Sequence, residues 1–278
     1  MSKKRKLNLN GRTYIMGVLN ITPDSFSDGG KYYSKRKALS RALQMAAEGA
    51  DIIDVGGEST RPGARDIGID EECSRVIPVI EAIVRRIDLP ISIDTRKAAV
   101  ARSAILAGAA IINDVSGLKY DPMMAKVAAR ASSAVVVMHM KGAPRDMQRS
   151  PRYRNLIEEV KAGLKESIGI ALAAGVDRRE VIIDPGIGFG KTIGHNLEIL
   201  NRLDEFSELG SPVCVGVSRK SFIGRILGIP KASDRLSGTI AACVVAVMKG
   251  AAILRVHDIR EAVDAAVITD NILKAGVK

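Results

Sequence analysis

Short apolar strands and helical stretches alternate eight times along this chain, and that alternation restricts its possible folds more than any other feature. We predict strands over residues 14–20, 51–55, 91–94, 111–114, 134–139, 181–184, 213–217 and 253–256. Helical patterns lie between them, for example over 35–49, 71–86, 96–107, 153–174 and 197–209, and Gly49, Gly108 and Gly175 each end one. Eight such units in about 250 residues predict a (β/α)₈ TIM barrel. An open doubly wound sheet is the alternative.

The first residues are expected to stand apart from the barrel. We predict that residues 1–13 form a basic tail and the start of a short N-terminal β-hairpin, whose turn signal is Asn10-Gly11. Residues 14–278 read as one domain, because no linker interrupts the series. The chain shows no secretory signal and no apolar run of about 20 residues, so we expect no membrane association.

Charge and cysteine content narrow the function. The formal net charge is +11, but the basic residues are spread along the chain and aromatic residues make up only 3%. We therefore expect an anionic small-molecule substrate and no nucleic-acid partner. Cys73, Cys214 and Cys243 match neither a zinc pattern nor a disulfide framework, which indicates packed thiols in a reducing cytoplasm.

Along each strand, the residues expected to face the barrel interior are apolar or small at first and mostly polar at the carboxyl end. Alternation places an apolar or small residue inside, followed two positions later by a residue at the carboxyl end of the strand. The pairs are Val18 and Asn20, Ile52 and Asp54, Ser92 and Asp94, Ile111 and Asn113, Val136 and Met138, Ile182 and Asp184, and Ile253 and Arg255. Barrel enzymes carry their active sites at that end. A buried ring of Asn, Asp and Arg is costly without a ligand or mutual pairing, so a site is predicted there.

The stretch VIIDPGIGFGK delivers Asp184 to a glycine-rich turn. It is not a P-loop, because Pro185 occupies the place of the first glycine, and Lys191 breaks the dinucleotide-binding pattern. Asp184 could simply cap the turn. With Asp94 and Asn113 it could instead recognise a flat heterocycle that carries an amino group next to a ring N–H. Asp94 alone could also cap the helix that follows it.

The last two strands end in groups suited to an anion. Gly216 leaves room for a flat ligand, and Ser218 or Ser221 could cap the next helix and leave amide groups free for an anion. Arg255 and His257 share a face and could clamp a phosphate, unless His257 is held by Asp258. His139 is expected to face outward, and His195 to lie in the turn before a helix. The long loops after the first two strands, 21–30 and 56–63, are either mobile lids or ordinary surface loops.

Eight stretches together resemble the dihydropteroate synthases, a family of folate-pathway enzymes. They are MGVLNITPDSFSDGG, DIIDVGGESTRPGA, SIDTRK, INDVSG, VVVMHMKGAPRDMQ, IIDPGIGFGKT, GVSRKSFIG and RVHDI, in family order. The resemblance implies a (β/α)₈ barrel that usually forms a homodimer. It also implies a transferase that joins 6-hydroxymethyl-7,8-dihydropterin diphosphate to 4-aminobenzoate, giving 7,8-dihydropteroate and diphosphate with the help of Mg²⁺.

The same resemblance implies a role for particular residues. The pterin set is Asp94, Asn113, Met138, Asp184, Gly216 and Lys220, which makes Lys220 rather than Arg219 the inward residue. The diphosphate set is Asn20, Arg255 and His257, with Asn20 on the Mg²⁺ side. The 4-aminobenzoate set is Phe26, Thr60, Arg61, Pro62, Phe189 and Ser221. The catalytic set is Asp28, Lys220, Arg255 and His257.

Chemistry favours a dissociative substitution, because the diphosphate leaves from a carbon whose positive charge the pterin can delocalise. The closest alternative is a pterin-dependent methyltransferase acting on a corrinoid. Such an enzyme would share the Asp and Asn pocket but would not need Arg255 and His257. A nucleic-acid-binding protein and a sugar-phosphate barrel enzyme are further alternatives, and the amide-and-carboxylate pocket does not favour the latter.

Overall fold

The eight predicted strands close into a parallel barrel. The computed structural model describes residues 9, 11–21, 31–59, 66–142, 147–148 and 150–275. The strands are β1 (Tyr14–Asn20), β2 (Ile52–Gly56), β3 (Ile91–Asp94), β4 (Ile111–Asp114), β5 (Ala134–Met138), β6 (Val181–Asp184), β7 (Val213–Val215) and β8 (Ala251–Val256). Each strand pairs with the next, and β8 pairs with β1. The barrel prediction is confirmed, and the open-sheet alternative is wrong.

Helices connect the strands on the outside of the barrel. They are α1 (Lys31–Ala47), α2 (Ile69–Val84), α3 (Ala98–Leu106), α4 (Met124–Ala131), α5 (Leu156–Ala173), α6 (Ile193–Asn201), α7 (Ser221–Leu227), α8 (Leu236–Met248) and α9 (Ile259–Ala275). The helix predicted over 197–209 is two elements, because α6 ends at Asn201 and a 3₁₀ helix follows at Leu203–Leu209. Gly49, Gly108 and Gly175 follow helix ends with φ values of 100°, 114° and 94°, as C-terminal capping requires.

Two separate apolar clusters confirm the predicted alternation. The larger lies between the strands and the helices. The smaller fills the barrel interior and includes Met16, Ile52, Ile111, Val136, Ile182, Cys214 and Ile253. Each buried aliphatic side chain contributes roughly 1.5–3 kcal/mol to folding. The inward polar residues stand two positions further along the same strands, so the apolar cluster forms the floor beneath them.

Several predictions fall on residues outside the described part of the chain. They are the hairpin turn at Asn10, the basic tail, most of the 21–30 loop with Phe26 and Asp28, and Thr60, Arg61 and Pro62 of the 56–63 loop. Among the described residues, no helix is both long and apolar enough to cross a membrane.

Candidate active site

A recess opens at the carboxyl ends of the strands, inside the barrel mouth. It is lined by Asn113, Val115, Met138, Asp184, Ile187, Phe189, Gly216, Lys220 and Arg255. Five of the six residues predicted to contact a pterin are therefore among its walls. The sixth, Asp94, is not a lining residue, but it accepts a hydrogen bond from Arg255, which is one.

Asp184 caps the glycine-rich turn and also lines the recess. Its Oδ1 accepts a hydrogen bond from the backbone N–H of Gly186 at 2.7 Å, so it caps the glycine-rich turn. The carboxylate also lines the recess. Gly186 has φ of 73°, and a Cβ atom there would collide with the carbonyl oxygen of His139, so only glycine fits. Burial raises the pKa of Asp184.

Lys220 points into the recess and Arg219 points away from it. The Nζ atom of Lys220 lies 4.3 Å from the ring centroid of Phe189. Burial, followed by the charge of Arg255, lowers the pKa of Lys220 to about 8. Arg219 instead donates from Nε to Asp258 Oδ2 at 3.0 Å. The orientation predicted for Lys220 is confirmed.

Arg255 is held between two buried carboxylates. Its Nε donates to Asp54 Oδ2 at 2.7 Å, and its Nη2 donates to Asp94 Oδ2 at 2.7 Å. Burial raises the pKa of Asp94 to about 7 although the charge of Arg255 opposes this shift. Helix α3 begins at Ala98 after Lys97 as its N-cap, so the alternative in which Asp94 caps the helix is wrong.

His257 is fixed by Ser218 rather than by Asp258. Its backbone N–H donates to Ser218 Oγ at 3.2 Å, and its Nδ1 lies 3.0 Å from the same oxygen. Burial, followed by the charge of Arg255, lowers the pKa of His257 to about 3, so the ring is neutral near pH 7. The expectation that a serine caps the helix after β7 is wrong: the N-cap of α7 is Lys220, without a side-chain capping bond, and Ser221 is the exposed first helical residue.

A buried lysine beneath the glycine-rich turn was not predicted. The Nζ of Lys191 donates to the carbonyl oxygens of Phe189 at 3.1 Å and His139 at 3.3 Å, and lies 3.1 Å from His139 Nδ1. Burial lowers the pKa of Lys191 to about 7. His139 leaves the barrel interior as predicted, but it packs near α5 and is not freely exposed. His195 lies in the first turn of α6, where it completes a capping box with Thr192.

Asn20 ends β1 and is half-buried beside Gly56. Within the described ranges, no group of three or more His, Cys, Asp or Glu side chains could hold a metal ion. Mg²⁺ commonly keeps several waters and takes one or two protein oxygens together with substrate phosphates. A single amide oxygen at Asn20 fits that kind of site and does not fit a cage made by protein alone.

Known proteins resemble this chain over almost all its length. The family model described as pterin binding enzyme matches residues 16–257. A dihydropteroate synthase of Bacillus subtilis is 48% identical over 275 residues, which cover 99% of this chain and 94% of the relative.

Solved structures of dihydropteroate synthases are also similar to this chain over almost all its length. The dihydropteroate synthase of Xanthomonas albilineans with 4-aminobenzoic acid has a TM-score of 0.90 and 44% identity, with coverage of 96% of this chain and 95% of that one. The same enzyme in complex with 7,8-dihydropteroate has a TM-score of 0.86 and 40% identity, also covering 96% and 95%.

Proposed function

The chain belongs to the family of pterin-binding enzymes, and on this premise we propose that residues 14–278 form one catalytic domain with dihydropteroate synthase activity. The reaction joins 6-hydroxymethyl-7,8-dihydropterin diphosphate to 4-aminobenzoate and releases diphosphate. The proposal rests on the recess, where buried Asn113 and Asp184 line the same space as the cations Lys220 and Arg255. Those groups suit a flat, amino-bearing ring that carries an anionic leaving group.

The pterin ring is proposed to bind edge-on between β4 and β6. Asp184 accepts from the amino group and ring N–H of the pterin, and Asn113 adds an amide contact. Met138 packs against one face, and the missing side chain at Gly216 leaves space for the other. Lys220 donates to the ring carbonyl and imine side.

The diphosphate is proposed to lie toward β1 and β8. Arg255 supplies charge, and neutral His257 supplies a ring N–H. Asn20 would hold Mg²⁺ together with diphosphate oxygens and water; bound there, Mg²⁺ neutralises charge on the leaving group. Removal of Mg²⁺ with EDTA is expected to stop turnover, and full activity in EDTA would contradict this assignment.

The second substrate is proposed to approach over the glycine-rich turn. Phe189 and Ser221 would contact it, and the resemblance adds Phe26, Thr60, Arg61 and Pro62 to its binding set. The amine of 4-aminobenzoate is neutral at pH 7, so no strong base is needed to generate the nucleophile. Asp28 stabilises the developing cation or takes the amine proton. Asp28→Ala is expected to lower kcat with the fold intact, and a wild-type kcat would remove Asp28 from the mechanism.

The homodimer is proposed to form through α8 and α9, which pack side by side. Exposed apolar residues line this surface: Val245, Met248, Val267, Ile268 and Ile272. Contiguous exposed apolar residues commonly mark interfaces, and two-fold dimers are the commonest closed assemblies. Ile268→Glu with Ile272→Glu is expected to give a monomer by light scattering. A dimer that persists unchanged would place the interface elsewhere.

The compartment we propose is the cytoplasm, because all three cysteines are free thiols.

Turnover tests the proposed reaction directly. The purified protein, the dihydropterin diphosphate, Mg²⁺ and labelled 4-aminobenzoate are expected to yield labelled 7,8-dihydropteroate. A protein that binds the pterin but forms no product would overturn the reaction and favour the methyltransferase. The methyltransferase is the weaker candidate because Arg255 and His257 would then have no anion to bind.

A further inference from the structure

Asp54 touches both halves of the proposed site. It lies on β2, fully buried. One oxygen, Oδ2, accepts hydrogen bonds from Arg255 Nε at 2.7 Å and from Asn113 Nδ2 at 3.1 Å. The other oxygen, Oδ1, is buried and has no hydrogen-bond partner within the described part of the chain. An unpaired buried carboxylate oxygen costs free energy, so stability alone is a poor explanation for a carboxylate at this position.

Asp54 determines how Asn113 faces the recess. An amide side chain can present either its oxygen or its nitrogen to a ligand, and the two orientations have nearly the same shape. An ionised carboxylate can only accept, so the nitrogen of Asn113 must face Asp54. The oxygen of Asn113 is then turned away from Asp54, on the side available to a ligand N–H. The contact thus selects the amide orientation suited to a donor edge.

Asp54 also fixes the plane of the Arg255 guanidinium. The bonds from Nε to Asp54 and from Nη2 to Asp94 define two points in that plane. Among the described residues, Nη1 of Arg255 has no hydrogen-bond partner. The side chain retains 20% exposure, so an anion in the recess can reach it.

We propose that Asp54 is a positioning residue that holds Asn113 for the pterin and Arg255 for the diphosphate, and so aligns the two parts of one substrate. This inference rests on the proposed function. If Asp54 served only to neutralise Arg255, its removal would leave Arg255 with more uncompensated positive charge. Binding of the diphosphate would then not weaken, and binding of a phosphate-free pterin would stay unchanged. The phosphate-free ligand therefore distinguishes the two explanations.

Calorimetric titration with 6-hydroxymethylpterin and with its dihydro diphosphate tests the proposal. Asp54→Ala removes both contacts and is expected to weaken 6-hydroxymethylpterin about 10-fold and the diphosphate about 100-fold or more. Asp54→Asn can still accept from Asn113, but its neutral amide oxygen holds the Arg255 guanidinium with a weaker hydrogen bond than the carboxylate does. It is expected to bind 6-hydroxymethylpterin within about twofold of wild type and the diphosphate about 10-fold more weakly.

Ser92→Ala is the matched control. Ser92 pairs in register with Asp54, is fully buried, and its hydroxyl has no described partner. Its removal is expected to leave both affinities unchanged. Wild-type affinity of Asp54→Ala for 6-hydroxymethylpterin would overturn the proposal, as would equal losses for both ligands in Asp54→Asn. If Asp54→Ala does not fold, the comparison of the two ligand affinities in Asp54→Asn still tests the proposal. A wild-type protein that binds both ligands but makes no dihydropteroate would overturn the reaction and leave the Asp54 result standing.

Discussion

The barrel interior has two levels that differ in chemistry although the same strands build them. On β2, β4, β6 and β8 the lower level is Ile52, Ile111, Ile182 and Ile253, and the upper level is Asp54, Asn113, Asp184 and Arg255. The members of each pair are two residues apart and share a direction. The lower level stabilises the fold by burying apolar surface. The upper level removes charged groups from water, and this burial raises the pKa of Asp184; we propose that this level binds the substrate.

Contributions to stability and to ligand binding are therefore separated by two residues along the same strand. A change at the lower level should reduce the free energy of unfolding and leave the ligand affinity of the folded protein intact. A change at the upper level should do the reverse.

Asp184→Asn should have the largest effect. It removes the charged acceptor for the pterin, and the loss of two charge-assisted hydrogen bonds should reduce turnover by about 10²–10⁴-fold. Because burial raises the pKa of Asp184, the charged form costs stability above the pKa of the unfolded chain, and Asn removes that cost. The free energy of unfolding should therefore not fall. Turnover and urea unfolding measured on one preparation check both statements, and lost turnover caused by unfolding would refute the separation.

Ile182→Ala should have the next largest effect, and on stability instead. Ile182 is 2% exposed within the apolar floor, so truncation should cost about 2–5 kcal/mol of unfolding free energy. Substrate KM should stay near the wild-type value at temperatures where the variant is folded. A KM that rises as steeply as for Asp184→Asn would show that the two levels are not independent.

Arg255→Ala should separate the two ends of the substrate. Affinity for the dihydropterin diphosphate should fall about 100-fold, because the main cation facing the diphosphate is lost. Affinity for 6-hydroxymethylpterin should change far less. If both ligands weaken equally, Arg255 does not bind the diphosphate.

Lys191→Met should have the smallest effect of these substitutions at neutral pH. It should instead change how the stability of the protein depends on pH. The pKa of Lys191 is lowered from 10.5 to about 7, so above pH 7 the unfolded chain binds more protons than the native state. Wild-type stability should therefore rise with pH between about 7 and 10.5 relative to the variant, by a few kcal/mol at most. Parallel stability curves for the two proteins would show that the buried amine does not titrate in this range.

The sequence predicted the barrel and its two levels because strand alternation is a local property. Ile182 and Asp184 could be placed correctly from their spacing alone. Lys191 could not, because its acceptors include the carbonyl oxygen of His139, 52 positions away and brought close only by the packing of two loops. Ser218 was misassigned for a related reason: its partner, His257, belongs to another strand end, and local capping rules cannot anticipate it.

Asp54 shows what alternation can and cannot provide. The pattern identified it as inward and polar, but the sequence offered no means of choosing its partners among the other inward groups. Arg255 is 201 positions away and Asn113 is 59 positions away. Only closure of the barrel defines which polar residues meet.

The most direct test of the two-level account is calorimetric titration of 6-hydroxymethylpterin into Asp184→Asn and Ile182→Val. These substitutions lie two residues apart on the same strand, and each changes its side chain by the smallest available step. The account predicts that Ile182→Val binds the pterin with wild-type affinity, and that Asp184→Asn shows no binding in the same concentration range. Equal affinity in the two variants would contradict the assignment of the upper level as a pterin site.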